Sequence, residues 1–178
     1  MLERTDAQLV EAARNGDLGS FGELYRRHYP AAVGIAYCVL LDHHLAEDAA
    51  QETFALACRG LGRLRRAEKF APWLKAICRK VAARLGKSRP RHSLPAEVAS
   101  PAGANPGDPR ASLVRQAVER LPGRAREVVL LHYFSGLTYE QIAVLLETSP
   151  QAVHGRLIRA RRKMAEDLRR NGLGRSEP

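Results

Sequence analysis

The sequence predicts an all-α protein of two small helical domains joined by a flexible linker, the second containing a helix-turn-helix. Apolar residues make up 45% of the 178 residues but aromatic residues only 6%, which favours helices packed through Leu, Ala and Val. Apolar positions recur at helical spacing over most of the chain, and a stretch rich in Pro, Ala, Gly and Ser interrupts that pattern. We therefore predict domains at residues 1–90 and 111–173, with a linker at residues 91–110.

The helix-turn-helix is predicted from local signals near the C-terminal end. Thr138 and Gln141 have the spacing of a capping box that begins a helix, and Gly136 is placed to end the helix before it. After a short turn, Ser149 is an N-cap and Pro150 fits the first helical position, where no N–H is needed. These signals predict two helices joined by a tight turn.

The last helix separates an apolar face from a polar one. Its apolar residues follow the helical period and predict a core stripe: Val153, Leu157, Ala160, Met164 and Leu168. The polar residues off that stripe are candidates for nucleic-acid contact: Gln151, His154, Arg156, Arg159, Arg162 and Lys163. The alternative is a basic, solvated surface helix. In the preceding turn, Glu147 stands where Gly is usual, which predicts a strained left-handed conformation.

The first domain is predicted to contain four helices. Thr5 or Asp6 can cap the first, a second runs from about Asp17 with a kink at Pro30, and Asp42 begins a third. The third helix carries a polar row beside its apolar side, formed by Glu47, Asp48, Gln51 and Glu52. A solvated charged face usually explains such a row; the other explanation is a basic partner surface.

Charge is divided unevenly along the chain. The net charge is +10, yet residues 1–58 carry 4 basic and 9 acidic side chains, whereas residues 59–92 carry 12 and 1. The basic excess predicts a polyanionic partner, and the acidic block indicates a second partner that is a protein. Clustered cations beside the aromatic pair Phe70 and Trp73 are what single-stranded nucleic acid binding needs. The alternative is that both rings belong to the core.

Other classes of function find little support in the sequence. Cys38, Cys58 and Cys78 are widely spaced, which argues against a disulfide framework or a zinc site and favours small core residues in a reducing cytosol. No Gly-rich phosphate loop, metal-ligand cluster or nucleophile–base pair is present, so we predict no catalytic residue, cofactor or metal. The polar N-terminus is unlike a signal peptide, and the longest apolar run is about half the length that spans a bilayer. We expect a cytoplasmic protein without membrane insertion.

Three segments together resemble bacterial RNA polymerase sigma factors. They read AEDAAQETF at 46–54, FAPWLKAI at 70–77, and LPGRAREVVLLHYFSGLTYEQIAVLL followed by AVHGRLIRARRKM in the second domain. The resemblance is to the extracytoplasmic-function type (group IV of the sigma-70 family), which keeps only regions two and four joined by a linker. It covers nearly the whole chain in the right order. It implies a protein that binds core RNA polymerase and directs promoter-specific transcription initiation.

The resemblance also implies partners and contact residues. The partners are core RNA polymerase, promoter DNA and, commonly, an anti-sigma factor. The polymerase's largest subunit would meet the polar row of the third helix, Glu47, Asp48, Gln51 and Glu52. The next loop and helix would open the minus-ten element and capture a flipped base, with candidates Arg63, Arg65, Arg66, Lys69, Trp73, Arg79, Lys80 and Arg84. The last helix would read the minus-thirty-five element in the major groove through Gln151, His154, Arg156 and Arg159.

The sequence departs from the family pattern in two places. Lys80 and Arg84 stand where the family usually has Asn and Asp, and the recognition helix reads AVHGRLIRAR where TVKSRLHRAR is frequent. We hypothesise that Lys80 and Arg84 add contacts to DNA phosphates; the alternative is that they lie on a surface that touches nothing. Two other functions are weighed against a sigma factor. One is a polymerase-independent helix-turn-helix regulator, which would need no acidic helix, and the other is an enzyme built around Cys or His.

Overall fold

Every regular element of the described structure is helical. The computed structural model of the protein describes residues 4–87 and 109–171, and its helices form one group on each side of residues 88–108. The all-α prediction is therefore confirmed. The predicted linker at residues 91–110 lies almost entirely outside the described residues.

Four helices make up the first group: α1 (Asp6–Arg14), α2 (Leu18–Leu40), α3 (His43–Gly60) and α4 (Phe70–Lys87). Thr5 caps α1 in a capping box with Gln8. The side chains of Asp17 and Asp42 cap α2 and α3 by accepting hydrogen bonds from backbone N–H groups three residues further on. These starts agree with the sequence analysis. Helix α2 continues through Pro30 as one element.

Helix α2 is the centre of the first group, because α1, α3 and α4 all pack against it. Residues 31–37 of α2 are buried without interruption. The core around them is filled by Leu24, Ile35, Phe54 and Phe70, each at most 3% exposed. Burying side chains of this size stabilises the fold by about 1.5–3 kcal/mol each.

The three cysteines do not share one environment. The Cys78 thiol is buried and donates to the Ala32 carbonyl at 3.3 Å. Burial raises the pKa of Cys38 to about 12 and that of Cys78 to about 11. Cys58 is exposed, so the prediction that all three are core residues is wrong for Cys58. Its position on α3 faces an open cleft beside the following loop rather than α2.

The second group holds α5 (Pro109–Glu119), α6 (Gly123–Val129), α7 (Tyr139–Leu145) and α8 (Pro150–Arg170). Residues 130–134 continue α6 as a π-helical turn, which ends where the Ser135 N–H donates to the Leu130 carbonyl at 3.1 Å. The next residue, Gly136, has a φ of 66° and terminates this longer helix, as predicted.

The predicted helix-turn-helix signals are confirmed by the structure. Thr138 and Gln141 form the capping box of α7, and Ser149 caps α8, whose first residue is Pro150. Glu147 has a φ of 48°, the left-handed conformation expected at this turn. Along α8, the stripe is buried at Val153, Leu157 and Ala160 and half-buried at Met164 and Leu168.

Within residues 4–87 and 109–171, no helix combines the length and the apolar character needed to cross a membrane.

Removing the Thr138 hydroxyl should destabilise the second group of helices. Thr138→Ala deprives the Gln141 N–H of its acceptor at 3.3 Å, and the loss of such a cap costs about 0.5–2 kcal/mol. Thr138→Ser keeps the hydroxyl and is the matched control. Urea unfolding followed by circular dichroism should give a lower midpoint for the Ala variant alone. Equal midpoints for the two variants would contradict the contribution of the cap.

Candidate nucleic-acid interface

The predicted polar row of α3 lies at the protein surface. Asp48 and Gln51 are exposed, and Glu47 and Glu52 are partly so. The Glu52 carboxylate pairs with Arg84 of α4, which the resemblance assigns to a different partner. The fold thus joins an expected polymerase contact to an expected DNA contact, and leaves Asp48 facing solvent.

Glu47 also brings a third potential metal ligand to the neighbours His43 and His44. The ligand atoms of these three residues lie within 4.8 Å of one another. In the sequence, two adjacent histidines are only a weak signal of a metal site. Glu47 follows them by four and three residues, a spacing that brings side chains together on a helix surface and would have strengthened that signal. The cluster occupies the first turn of α3, where the positive end of the helix dipole disfavours a bound cation. The expectation of no metal site stays a prediction.

The loop between α3 and α4 is held by Arg14 of α1. The Arg14 Nε–H donates to the Leu61 carbonyl at 3.2 Å, and a second guanidinium N–H donates to the Leu64 carbonyl. Beside this loop is an open cleft of about 510 Å³, whose walls are about equally polar and apolar and include the side chains of Arg14 and Arg65. Leu18, at the cleft, is 81% exposed. Sequence reasoning missed Arg14, because no local pattern connects it to carbonyls some fifty residues away.

The cations of this loop differ in their partners. Arg63, Arg65 and Arg66 are exposed at the surface. Lys69 instead reaches the second group of helices, where its ammonium lies 2.7 Å from the Glu147 carboxylate. The hydrogen bond and charge of Lys69 lower the pKa of Glu147. The strained residue of the helix-turn-helix is therefore also an ion-pair partner of the first group.

The aromatic pair does not form a stacking surface. Phe70 is 0% exposed and belongs to the core, so for this ring the structure supports the alternative interpretation from the sequence analysis. Because Phe70 is the first residue of α4, its side chain enters the space beside α2. Trp73 is half-buried, with its ring 6.0 Å from that of Phe70 and its edge close to Gly60. Only part of the Trp73 ring is available to a ligand.

The expected DNA-binding cations of α4 also differ in whether they have an acidic partner. Lys80 is exposed, whereas Arg79 lies 2.6 Å from the carboxylate of Glu127 in α6. Lys75 lies 4.0 Å from the same carboxylate, and burial lowers the pKa of Lys75 despite that neighbour. Glu127 is only 6% exposed. Sequence reasoning missed Glu127, since its partners are distant in the chain and belong to the other group of helices.

The N-terminal half of α8 presents its predicted face to solvent. The His154 ring lies 5.5 Å from that of Tyr139, which supports it from α7. Three of the four candidates are exposed and Arg156 is half-buried; the four are Gln151, His154, Arg156 and Arg159. The structure places these four residues on the N-terminal half of α8, a different element from the loop and α4, although Arg156 is close enough to Lys75 of α4 to interact with its charge.

Comparison with known proteins decides the family. Residues 24–91 match the model of sigma-70 region 2, and residues 111–164 match that of sigma-70, region 4. The RNA polymerase sigma factor CarQ of Myxococcus xanthus is 34% identical over 166 residues, which cover 89% of this chain and 95% of CarQ. The chain belongs to the sigma-70 family of RNA polymerase sigma factors.

Further relatives indicate the extracytoplasmic-function type. The ECF RNA polymerase sigma factor SigW of Bacillus subtilis is 27% identical over 90% of this chain and 95% of SigW. The probable RNA polymerase sigma factor RfaY of Xanthomonas campestris is 32% identical over 84% of this chain, which spans only 40% of the length of RfaY. An extracytoplasmic-function sigma factor acts in transcription initiation with RNA polymerase at promoter DNA. The matches support this function and not a polymerase-independent regulator.

Two solved structures share the fold of this sigma factor. CnrH, solved in complex with the cytosolic domain of CnrY, has a TM-score of 0.63 and 25% identity, covering 94% of this chain and 99% of CnrH. The sigma factor RpoE from Bartonella quintana, solved with the anti-sigma factor NepR, has a TM-score of 0.56 at 23% identity and covers 84% of this chain and 96% of RpoE. This second likeness concerns the fold alone. We call the two groups of helices the region-two domain and the region-four domain; the bounds 1–90 and 111–173 stay a prediction.

Replacing Arg14 should loosen the loop beside the cleft. Arg14→Lys keeps the charge but cannot make both hydrogen bonds to the loop carbonyls, and each bond of this kind contributes about 1.5–3 kcal/mol. We expect faster amide hydrogen exchange in residues 61–66, measured by mass spectrometry. Arg26→Lys, on the exposed side of α2, is the control and should leave the loop unchanged. Identical exchange in all three proteins would show that Arg14 does not hold the loop.

Proposed function

We propose that this sigma factor binds core RNA polymerase through the exposed carboxylates of α3 and promoter DNA through two separate basic surfaces. The division of charge in the folded chain carries the proposal. The α3 row is acidic and fully or partly exposed, while cations occupy the loop after α3, the outer face of α4 and the N-terminal half of α8. Acidic surfaces repel DNA phosphates and basic ones attract them, so these surfaces fit two kinds of partner.

The polymerase contact is assigned chiefly to Asp48 and Glu52, which lie one turn apart on α3. Reversing both to Lys should weaken binding to core polymerase at least ~100-fold, because like charges placed across an interface cost several kcal/mol. The affinity is measured by fluorescence anisotropy, with helicity checked by circular dichroism. Arg84→Gln is the matched control, since it breaks the Glu52 ion pair without changing the sign of the row. Normal polymerase binding by the folded double variant would remove this assignment.

The cleft beside the loop is proposed to hold a base flipped from the minus-ten element. A volume of about 510 Å³, the apolar side chains of Leu18, Phe21 and Leu64 in its walls, and the guanidinium group of Arg65 suit a flat aromatic base with a phosphate next to it. Arg63 and Arg65 are exposed on the same loop and are available to backbone phosphates, whereas the exposed Arg66 pairs with Glu68 at 2.7 Å. Arg14 would act on this site by positioning the loop.

The proposed minus-thirty-five contact is made by α8 lying in the major groove. Helices of this motif dock with their N-terminal residues against base edges. The support here is that the polar face of α8 is solvent-accessible in its first three turns, while the opposite face is buried in the region-four core.

Replacing Arg156 or Arg159 tests whether this face of α8 docks on DNA. A base-reading Arg contributes about 1–3 kcal/mol and its loss relaxes specificity, whereas loss of a phosphate contact weakens all sequences alike and lowers the salt slope by about 0.9. We expect at least one of Arg156→Ala and Arg159→Ala to show one of these signatures in holoenzyme binding to promoter libraries. Arg169→Ala, exposed near the far end of α8, is the control. If both variants behave like the control, the face is misassigned.

The hypothesis that Lys80 and Arg84 contact DNA phosphates is kept in part. Lys80 is exposed and suits such a contact. Arg84 pairs with Glu52, so a phosphate would have to replace that carboxylate. We assign the phosphate contact to Lys80 first.

We further propose that the protein works in the cytoplasm without catalytic chemistry or a cofactor, and that an anti-sigma factor regulates it. The support for the last point is the fold shared with RpoE, which was solved bound to an anti-sigma factor.

A further inference from the structure

Two residues of α8 do not fit the polar face that the proposed function places against DNA. Gly155 has no side chain, and Ile158 is apolar and 51% exposed. Residues three apart on a helix are neighbours, so the two lie side by side. With about 3.6 residues per turn, they fall away from the buried stripe of Val153, Leu157 and Ala160. In the frequent family pattern their places hold Ser and His, so this chain lacks two polar side chains there.

The fold does not require a glycine at position 155. Its backbone is ordinary α-helix, where glycine is less favourable than alanine. Among the described residues, a Cβ atom at Gly155 would meet only the Arg159 guanidinium, whose Nη1 would lie 3.5 Å away, an ordinary contact with a flexible side chain. Gly34 of α2 differs, because a Cβ there would lie deep inside van der Waals contact with the Ser135 Oγ of the region-four domain. Gly155 is therefore better explained by a partner outside the chain than by packing within it.

The core does not explain Ile158 either. This residue lies off the buried stripe of α8, with about half of its surface in solvent. A β-branched side chain is also a weaker helix former than the Leu and Arg residues around it. Single exposed apolar side chains are common and need no partner. Ile158 differs from them because it lies beside Gly155, one turn after His154, on the face that the proposed function turns towards DNA.

Together Gly155 and Ile158 form a step on the helix surface. At Gly155 the backbone itself is the surface, so another molecule can approach it closely. The Ile158 side chain lies next to it as an apolar wall. Arg159 covers Gly155 in the free protein and would uncover it on turning towards a base or a phosphate, as the proposed function requires. The missing Cβ thus leaves a space of about the size of a methyl group beside an apolar side chain.

In the major groove, thymine presents the matching group. The base edges there carry hydrogen-bond donors and acceptors, and the C5-methyl of thymine is the apolar group among them. The Ile158 side chain neither donates nor accepts a hydrogen bond. Pressing it against guanine, adenine or cytosine would remove water from a polar edge without replacing the lost hydrogen bond, which is costly. Ile158 therefore favours thymine both by contact and by exclusion of the other bases.

We propose that Gly155 and Ile158 form a thymine-reading site, in which Ile158 packs on the C5-methyl of one thymine of the upstream element and Gly155 admits that base edge to the helix backbone. The inference rests on the proposed docking of α8 in the major groove and adds a base preference to it. It makes Ile158 a determinant of promoter specificity alongside the arginines of the same helix.

The first experiment removes the methyl group from the DNA. Holoenzyme containing the full chain selects sequences from a promoter library randomised over the upstream element. Each thymine of the best-bound duplex is then replaced in turn by deoxyuridine, which lacks only the C5-methyl group. We expect one of these replacements to lower the affinity of the wild type by about fourfold, the effect of withdrawing one methyl group from an apolar contact.

The same duplexes are then bound by two variant holoenzymes. Ile158→Ala should bind the thymine and deoxyuridine duplexes equally, because the two changes remove the same contact. Val144→Ala is the matched control, since Val144 is also apolar and is 60% exposed, but lies on α7. This control should keep the fourfold difference between the two duplexes.

The second experiment fills the space at Gly155. Gly155→Ala should raise the urea midpoint of unfolding, because alanine is the better helix former and its Cβ fits beside Arg159. The same variant should bind the selected promoter at least about tenfold more weakly, because the Cβ holds the helix backbone away from the base edge. Gly22→Ala on α2, where a Cβ meets nothing within 4 Å, is the control and should leave promoter binding unchanged. Higher stability combined with lower affinity is not expected of a residue whose role is structural alone.

Two results would overturn the inference and leave the proposed function intact. One is an upstream sequence preference in which no deoxyuridine lowers the affinity of the wild type, and the other is a deoxyuridine effect that Ile158→Ala retains in full. Promoter binding by Gly155→Ala as tight as that of the wild type would refute the part assigned to Gly155. Failure of the docking of α8 would look different: the library would show no upstream preference, and Arg156→Ala and Arg159→Ala would bind like the wild type. That outcome would overturn the inference as well.

Discussion

Close packing around the central helix α2 is the constraint on which the other contacts depend. Its buried segment, residues 31–37, contains three alanines and one glycine, so neighbouring helices approach its backbone closely. One side receives α3 and α4 and completes the region-two core. The other receives α6 and the π turn of the region-four domain. A larger side chain at Gly34 would disturb the second contact while leaving the first intact.

The acidic and basic side chains proposed to meet partners lie on different surfaces of this protein. The acidic row of α3 and the cations of the loop and α4 belong to one domain, and the pair between Glu52 and Arg84 joins them. Exposed pairs of this kind add little stability, usually no more than about 1 kcal/mol. The arrangement is therefore better explained by the partners each surface meets. A protein surface and a nucleic acid can then be bound at the same time without mutual interference.

The turn of the helix-turn-helix connects recognition with the domain contact. Glu147 adopts a left-handed conformation that glycine would take at lower cost, and its carboxylate holds Lys69 of the other domain. A glycine at this position would relax the backbone but remove the ion pair. Glu147 therefore introduces backbone strain in the turn but provides an ion pair between the two domains. Backbone strain that persists at a residue such as Glu147 is a reason to look for such an interaction.

The sequence by itself determined the helices, their caps, the helix-turn-helix and the buried stripe of α8, because these depend on residues within one or two turns of each other. The left-handed Glu147 was predictable for the same reason, and the three family segments identified the sigma factor. Tertiary structure alone decided that Phe70 is core, that Cys58 is exposed, and that Arg14 holds the loop. It also decided the burial of Glu127 between Lys75 and Arg79. Those outcomes depend on side chains tens of residues apart, whose meeting is fixed by helix packing and leaves no periodic signal in the chain.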